Sequence, residues 1–248
     1  MISSVIYEKK DGVAHLVLNR PNAGNAVNEQ MAQDLAEACQ QVNQDEQVIV
    51  VVISGAGKLF CAGGDLEPAR ALPLITPARA VAGIEKPIIA ALNGEVIGLG
   101  LEMALSCDLR IASDDARFGF PQSSQGSIPW DGGSQRLPRI VGKARALELL
   151  LSARTIDAAE ALRIGLINKI VPAKDLLPET KALAVQLASK GPIALRFAKE
   201  AVNKGLDLSL EQGLRLEADL YFLLHTTADR NEGVRAFLEK RTPRFKGA

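Results

Sequence analysis

The chain is poor in the residues and patterns that mark several large classes of protein. Its three cysteines, Cys39, Cys61 and Cys107, show no C-x-x-C spacing, which argues against a disulfide framework or a cysteine metal site. No apolar run reaches the roughly 18 residues that a membrane-spanning helix needs. The N-terminus also lacks the basic and apolar stretches of a signal peptide. These absences predict a cytoplasmic protein without a metal centre.

An excess of charge of either sign is also missing. Lys plus Arg and Asp plus Glu each total 29 among 248 residues, so the net charge at neutral pH is zero. A balanced chain gives no electrostatic reason to expect nucleic acid or an anionic membrane as a partner. With 47% hydrophobic and 23% charged residues, the composition is that of an ordinary globular protein with a substantial core.

A recurring strand, turn and helix pattern occupies the first half of the chain. The apolar runs at 48–53 and 87–92 are typical of strands buried on both faces. A hairpin turn at Asp11-Gly12 and a helix capped by Asn28 precede them. This alternation predicts an α/β fold with parallel strand pairing. Further strands are predicted at 108–112 and 116–119.

Helical periodicity dominates the second half of the chain, from about Gly132 onward. One short strand is predicted to interrupt the helices, within 165–172. The helices are predicted at 144–152, 157–164, 175–189, 192–203, 208–224 and 229–240.

Two glycine-rich turns follow the buried strands and carry the most information in the sequence. The first reads Lys-Leu-Phe-Cys-Ala-Gly-Gly-Asp-Leu at 58–66, and the second reads Asn-Gly-Glu-Val-Ile-Gly-Leu-Gly-Leu-Glu at 93–102. Glycines at such points let a backbone approach another group closely. Two turns that each offer an N–H group are what an enzyme needs to hold a negatively charged carbonyl oxygen. The second turn leads into a predicted helix from Gly98 to Ser106, where Glu102 is a carboxylate in an apolar segment.

Neither turn matches a nucleotide-binding motif. The segment Gly55-Ala56-Gly57-Lys58 resembles a phosphate-binding loop, but Val52 and Leu59 stand where the motif requires a glycine and a Ser or Thr. The dinucleotide fingerprint fails as well, because its third glycine is replaced by Phe60 in the first turn and by Met103 in the second.

The same segments resemble the crotonase (enoyl-CoA hydratase/isomerase) superfamily. The resemblance continues in Gly-Gly-Ser-Gln-Arg-Leu at 132–137, in Asn-Arg-Pro at 19–21 with Asn-Ala at 25–26, and in the closing segment 232–241. These matches run in order across nearly the whole chain.

The resemblance implies an α/β fold, a crotonase-like spiral of ββα units with a helical C-terminal trimerisation region. We expect the spiral core and acyl-CoA site within residues 1–190 and the helical region within 191–248. The family acts on acyl-CoA thioesters, so coenzyme A would enter as part of the substrate and no separate cofactor is expected. A homotrimer or a dimer of trimers is the implied assembly.

The resemblance assigns the oxyanion hole to the backbone N–H groups of Gly64 and Leu99. Leu99 replaces the glycine that is common at its position. The N–H group is retained, so the hole survives if the turn accepts a side chain there. The N-terminus of a helix beginning near Leu99 would also favour a thioester oxygen that gains negative charge.

The acid–base residues depart from the pattern of hydratases in the family, which typically use two glutamates. Glu102 matches the first, but Gln122 stands at the second, and an amide cannot transfer a proton as a carboxylate does. Asp131 is the replacement that we expect, because some family members carry an aspartate just before the paired glycines. The alternative for Asp131 is an N-cap of a helix that starts at Gly132.

Coenzyme A contacts are expected at both ends of the chain. Matches to the family assign the coenzyme A contacts to an N-terminal group of residues and to two C-terminal positions. The alternative for the C-terminal positions is that they lie on an exposed helix with ordinary surface charge and do not contact coenzyme A. The N-terminal group is Arg20, Asn25, Ala26, Val27 and Ala62, and the C-terminal positions are Phe237 and Lys240.

Hydration of a 2-enoyl-CoA is therefore the leading prediction, with Glu102 as the principal proton-transfer group. Loss of the second glutamate raises the case for double-bond isomerisation, which needs only one carboxylate to move a proton. Hydrolysis or ring chemistry on a cyclic acyl-CoA is a third option. A protein that binds CoA esters without catalysis is the alternative from another class, and retention of Glu102 and both turns argues against it.

Overall fold

Nine strands form in the part of the chain that the computed structural model describes, residues 3–65 and 76–248. Leu66, the last residue of the first glycine motif, lies outside those residues. The strands are β1 (Val5–Lys10), β2 (Val13–Leu18), β3 (Val50–Gly55), β4 (Ile88–Leu92), β5 (Glu95–Ile97), β6 (Leu109–Ser113), β7 (Arg117–Gly119), β8 (Thr155–Asp157) and β9 (Lys169–Val171).

The strands make two sheets. The larger has the order β1-β2-β3-β4-β6-β9, and every neighbouring pair after the antiparallel β1–β2 hairpin is parallel. The smaller has the order β5-β7-β8, with β5 and β7 parallel. The predicted α/β fold with parallel pairing is confirmed.

Ten helices accompany the strands within the described residues. Their boundaries lie within two residues of the predicted ones wherever a helix was predicted. The helices are α1 (Glu29–Gln44), α2 (Pro77–Ala82), α3 (Leu99–Ser106), α4 (Gly133–Val141), α5 (Lys143–Ser152), α6 (Ala158–Arg163), α7 (Leu176–Ala188), α8 (Pro192–Gly205), α9 (Leu210–His225) and α10 (Ala228–Leu238).

Successive segments of the chain alternate between the two sheets in repeated units. β4 lies in the large sheet, β5 follows in the small sheet, and α3 then closes the unit. β3 begins a similar unit, because Cys61 forms a parallel bridge with Val96 of β5 before the chain reaches α2. β6 and β7 repeat the step. A unit of two strands and a helix therefore recurs, although its second strand is sometimes only a single bridge.

The core explains why β3 is continuously apolar. Val51 and Ile53 point into the main core, which lies between the sheets and the helices α1 to α6. Val50 and Val52 point to the opposite face, where they pack in a second cluster with side chains of α7. A strand covered on both faces has no polar face to present, as the sequence predicted. The division at residue 190 stays a prediction, although α8 to α10 fill most of the chain after it.

Candidate functional site

The two glycine turns lie side by side. The amide of Cys61 donates to the carbonyl of Glu95 at 3.0 Å, and the amide of Ile97 donates to the carbonyl of Cys61 at 3.0 Å. Gly63 has φ 116° and Gly98 has φ 53°, a region that strongly favours glycine. A Cβ atom at Gly98 would lie 3.8 Å from the Cα of Gly63. The turns that the sequence paired are thus in contact.

Each turn presents a main-chain amide that is not used by the fold. Among the residues that the structure describes, neither the N–H of Gly64 nor that of Leu99 has a hydrogen-bond acceptor. Leu99 is the first residue of α3, so its amide belongs to the unpaired first turn of that helix. Gly98 takes the positive φ and the Leu99 side chain is buried, so this turn accepts a leucine. Two free amides at adjoining turns are the arrangement that an oxyanion hole requires.

Glu102 lies one turn into α3 and is fully buried. Its Oε1 accepts hydrogen bonds from the amides of Asp131 and Gly133, both at 2.8 Å. Its Oε2 is buried and has no partner in the described part of the chain. Burial raises the pKa of Glu102, and the two amides and the Arg136 guanidinium oppose that rise only in part. One oxygen is thus fixed while the other is available to a water or a substrate.

Gly133 is required for this arrangement. A Cβ atom there would lie 2.8 Å from Pro129, 2.9 Å from the ring of Phe120 and 3.0 Å from Oε1 of Glu102. Any larger residue would therefore displace the carboxylate or the loop. The glycine pair at 132–133 has a direct role in positioning Glu102 that sequence reasoning did not give it.

Asp131 is buried, and its carboxylate faces α2. Oδ2 accepts from the amide of Ala78 at 2.6 Å and Oδ1 accepts from the amide of Arg79 at 3.3 Å. Burial raises the pKa of Asp131, and these amides oppose the rise. The alternative that Asp131 caps a helix starting at Gly132 is wrong, because α4 begins at Gly133 and its N-cap, Gly132, makes no side-chain cap. The carboxylate of Asp131 instead accepts hydrogen bonds from the first turn of α2.

Gln122 belongs to a short 3₁₀ helix at Pro121–Gln125 that follows β7. Its Nε2 lies 3.4 Å from the position of a Cβ at Gly98, so the amide reaches the second glycine turn. Its Oε1 is buried and has no partner in the part of the chain that the structure describes. Gln122 and Glu102 therefore each present an unpaired acceptor oxygen close to the turns.

The N-terminal residues predicted to contact coenzyme A surround the first glycine turn. Arg20 donates to the carbonyl of Ala26 at 2.5 Å and to the carboxylate of Asp65 at 2.8 Å. Val27 donates its amide to the carbonyl of Gly63 at 2.8 Å, and the exposed Ala62 donates its amide to Gly24 at 2.9 Å. These residues share one edge of the site.

Asn25 differs from its neighbours because its side chain is fully buried. Its Nδ2 donates to the carbonyls of Ala56 and Leu59, and its Oδ1 accepts from the amide of Arg20. Two of these bonds join the loop that holds Asn25 to the segment after β3, and the third lies within the loop. The side chain of Asn25 therefore shapes the edge of the site and does not face outward.

Phe237 and Lys240 lie on a different element, at the end of α10 and just after it. The Phe237 side chain is 82% exposed, and Lys240 takes φ 55° where the helix has ended. α10 packs against α9. The structure thus keeps these two residues on the C-terminal helices and does not place them with the N-terminal group.

Cys61 lies in the first glycine turn and is fully buried. Burial raises the pKa of the Cys61 thiol to about 12, so the group stays protonated at neutral pH. Within residues 3–65 and 76–248, no cluster of three His, Cys, Asp or Glu side chains is arranged to hold a metal ion. No helix among those residues is long and apolar enough to cross a membrane.

Comparisons with known proteins agree with this geometry. The family model for enoyl-CoA hydratase/isomerase matches residues 8–248. A crotonyl-CoA hydratase of Syntrophomonas wolfei is 41% identical over 98% of this chain and 97% of its own length. A short-chain-enoyl-CoA hydratase of Clostridium acetobutylicum is 38% identical, over 97% of this chain and 96% of its own length.

The fold is also similar to that of a solved enoyl-CoA hydratase. The crystal structure of an enoyl-CoA hydratase from Bacillus anthracis superposes with a TM-score of 0.95 at 36% identity and covers 99% of this chain and 100% of its own. This likeness confirms the crotonase-type α/β fold with its helical C-terminal region. With the paired turns, the buried glutamate and a match over nearly the full length, the chain belongs to the enoyl-CoA hydratase/isomerase family.

Proposed function

We propose that this protein is an enoyl-CoA hydratase that adds water to the double bond of a 2-enoyl-CoA thioester. One observation carries the proposal: a buried glutamate with one unpaired oxygen lies next to two turns that each offer an unpaired amide. Relatives at about 40% identity that are named hydratases support the same reaction.

In the proposed mechanism the thioester oxygen accepts hydrogen bonds from the amides of Gly64 and Leu99. Glu102 removes a proton from water through Oε2, and the water oxygen forms a bond to C3 of the substrate. The electron pair of the double bond moves toward the thioester, and the resulting enolate oxygen is stabilised by the two amides. Glu102 then returns the proton to C2, so that one water has been added and the carboxylate is regenerated.

A buried carboxylate suits this task because its raised pKa makes it a stronger base than an exposed glutamate. Gln122 is proposed to orient the water or the acyl group through its unpaired amide oxygen. The sequence predicts Asp131 as a second proton-transfer group, but its carboxylate oxygens accept hydrogen bonds from α2, which favours a positioning role instead.

We propose that coenzyme A binds along the edge formed by the N-terminal group, Arg20, Asn25, Ala26, Val27 and Ala62. Phe237 and Lys240 complete that site in the proposal, from the C-terminal helices. The reaction as proposed uses no separate cofactor and takes place in the cytoplasm.

A homotrimer or a dimer of trimers is proposed from the surface of the C-terminal helices. Leu210, Phe222 and Phe237 are 80%, 68% and 82% exposed on α9 and α10. Large apolar side chains grouped in this way mark protein interaction surfaces. A second subunit would cover them and would bring Phe237 and Lys240 to the site.

The test is an assay with crotonyl-CoA that follows loss of the conjugated absorbance, with mass spectrometry of the product. Hydration adds the mass of one water, whereas isomerisation leaves the mass unchanged and alters the retention time.

Isomerisation is the second candidate, because Gln122 cannot transfer a proton as a second glutamate would. Conversion of a 3-enoyl-CoA without hydration of crotonyl-CoA would overturn the hydratase proposal in favour of the isomerase. Cyclic acyl-CoA esters in the same screen test for hydrolysis or ring chemistry, and tight binding without any product would indicate a non-catalytic protein.

A further inference from the structure

Asp131 is joined to three different elements through three different groups. Its carboxylate accepts from the first turn of α2, at the amides of Ala78 and Arg79. Its main-chain amide donates to Oε1 of Glu102 at 2.8 Å. Its main-chain carbonyl accepts from the guanidinium of Arg136 at 3.0 Å. One residue therefore connects α2, α3 and α4.

Both oxygens of the Asp131 carboxylate accept hydrogen bonds from main-chain amides of α2. Ala78 and Arg79 occupy the first turn of α2, whose amides have no partner inside the helix. Thr76, the N-cap residue of α2, makes no cap with its own side chain. Asp131 supplies the missing acceptor from a distant part of the chain. A proton on this carboxylate would compete with the amides that it accepts from.

We infer that Asp131 is a positioning residue that fixes the carboxylate of Glu102 by anchoring its own loop to α2, and that it is not the second proton-transfer group. The inference rests on the proposed function, since it names how Asp131 serves the reaction at Glu102. α2 packs against α3, so the cap holds the Asp131 amide at a fixed distance from the helix that carries Glu102. Proton transfer then depends on Glu102 alone.

Variants of Asp131 separate the two roles. Asp131→Asn keeps an acceptor oxygen at the same length for α2, and Asp131→Ser keeps one on a shorter side chain. Neither variant can act as the carboxylate does in proton transfer, whereas Asp131→Ala keeps no acceptor at all. A positioning role predicts that Asn and Ser retain kcat within about 10-fold of the wild type and that Ala loses more. A proton-transfer role predicts that all three lose about 10²–10⁴-fold, as Glu102→Gln would. Equal, large losses in the three variants would overturn the inference.

The pKa of Glu102 gives a readout that a merely structural residue would not move. The charged groups acting on Glu102 are Asp131, whose negative charge raises its pKa, and Arg136, whose positive charge lowers it. Asp131→Asn and Asp131→Ala both remove that negative charge, and only Asp131→Ala also removes the acceptor that anchors the loop to α2. If the anchor positions the loop, Asp131→Ala should loosen the amide hydrogen bonds that lower the pKa of Glu102, so its Glu102 carboxyl should titrate at higher pH than in Asp131→Asn. NMR of protein labelled with carbon-13 at glutamate carboxyls measures both titrations, and equal titration in the two variants would contradict the inference.

This titration needs no turnover, so it keeps its meaning if the protein proves not to be a hydratase. Failure of the proposed function would appear as no product from the wild type with crotonyl-CoA. If the Asn and Ser variants do not fold, hydrogen exchange of main-chain amides in the wild type tests whether Asp131 holds the first turn of α2. Protected amides at Ala78 and Arg79 support the cap, and exchange at the rate of an unprotected chain contradicts it.

Discussion

At the residue scale, the proposed chemistry depends on Glu102, a carboxylate of which only one oxygen has hydrogen-bond partners in the described chain. Glu102 was marked in the sequence by its place in an apolar helix, and its burial is confirmed. The sequence could not show that two loop amides hold one oxygen while the other has no partner in the described chain. The two oxygens of Glu102 differ because the 131–133 loop approaches only one of them, and this loop contacts α3 only in the folded chain.

Glu102→Gln should abolish most of the activity while leaving the fold intact. Glutamine has nearly the same shape, so its carbonyl oxygen can still accept from Asp131 and Gly133, but it cannot take up a proton. We expect kcat to fall by about 10²–10⁴-fold with little change in KM. Steady-state kinetics with crotonyl-CoA measure both. Glu37→Gln on the exposed side of α1 is the matched control, and a Glu102→Gln variant with near wild-type kcat would refute the role.

The pH dependence of stability should also change in Glu102→Gln. Because burial raises the pKa of Glu102 in the folded state, ionisation of this group opposes folding once the pH rises above the unfolded pKa. The variant should therefore have the higher Tm at neutral pH. The difference should shrink as the pH falls through the folded pKa and should vanish below the unfolded value, about 4.3. Thermal unfolding from neutral to acid pH checks this, and an equal Tm for both proteins at neutral pH would contradict it.

At the element scale, short segments decide the site more than long ones. The long helices were located from sequence to within about two residues, because their periodicity is local. α2 has only six residues, and it was not predicted. β5 and β8 have three residues each; the sequence predicts β5 only as part of a glycine turn and does not predict β8. Segments this short are held by neighbouring elements and carry little signal of their own.

The first amide of α3 should be essential for catalysis. Leu99→Pro removes the N–H at the first position of the helix, where proline is otherwise tolerated. We expect kcat to fall by about 10²–10³-fold through loss of one oxyanion donor. Leu99→Ala is the matched control, since it loses the same buried side chain but keeps the amide. If both variants lose activity equally, packing and not the amide is responsible.

At the scale of the whole molecule, the C-terminal helices are poorly covered by the rest of the chain. Exposed apolar residues are grouped on α9 and α10, while the sheets and α1 to α6 enclose a continuous core. Such a surface is expected where subunits meet. The sequence implied this assembly only through resemblance, because periodicity cannot tell a face buried in one chain from a face buried between chains.

Phe222→Asp should weaken the assembly, because it places a charge in the apolar surface of α9. The wild type is expected to have the mass of three or six chains by light scattering, and the variant to shift toward one chain at low concentration. Leu151→Asp on α5 is the control, because Leu151 is 73% exposed and lies outside the C-terminal helices. A monomeric wild type, or equal effects of the two changes, would contradict the proposed interface.

The sequence by itself determined the fold class, the long elements, the two glycine turns and the carboxylate Glu102. These features are encoded locally, by apolar periodicity, by glycine at positions of positive φ and by a charge in an apolar run. Only the tertiary structure decided the partners of each group. It placed Gly63 beside Gly98, gave one oxygen of Glu102 to the 131–133 loop and turned Asp131 toward α2. Those contacts join residues about 30 to 50 positions apart, so no local pattern in the chain could specify them.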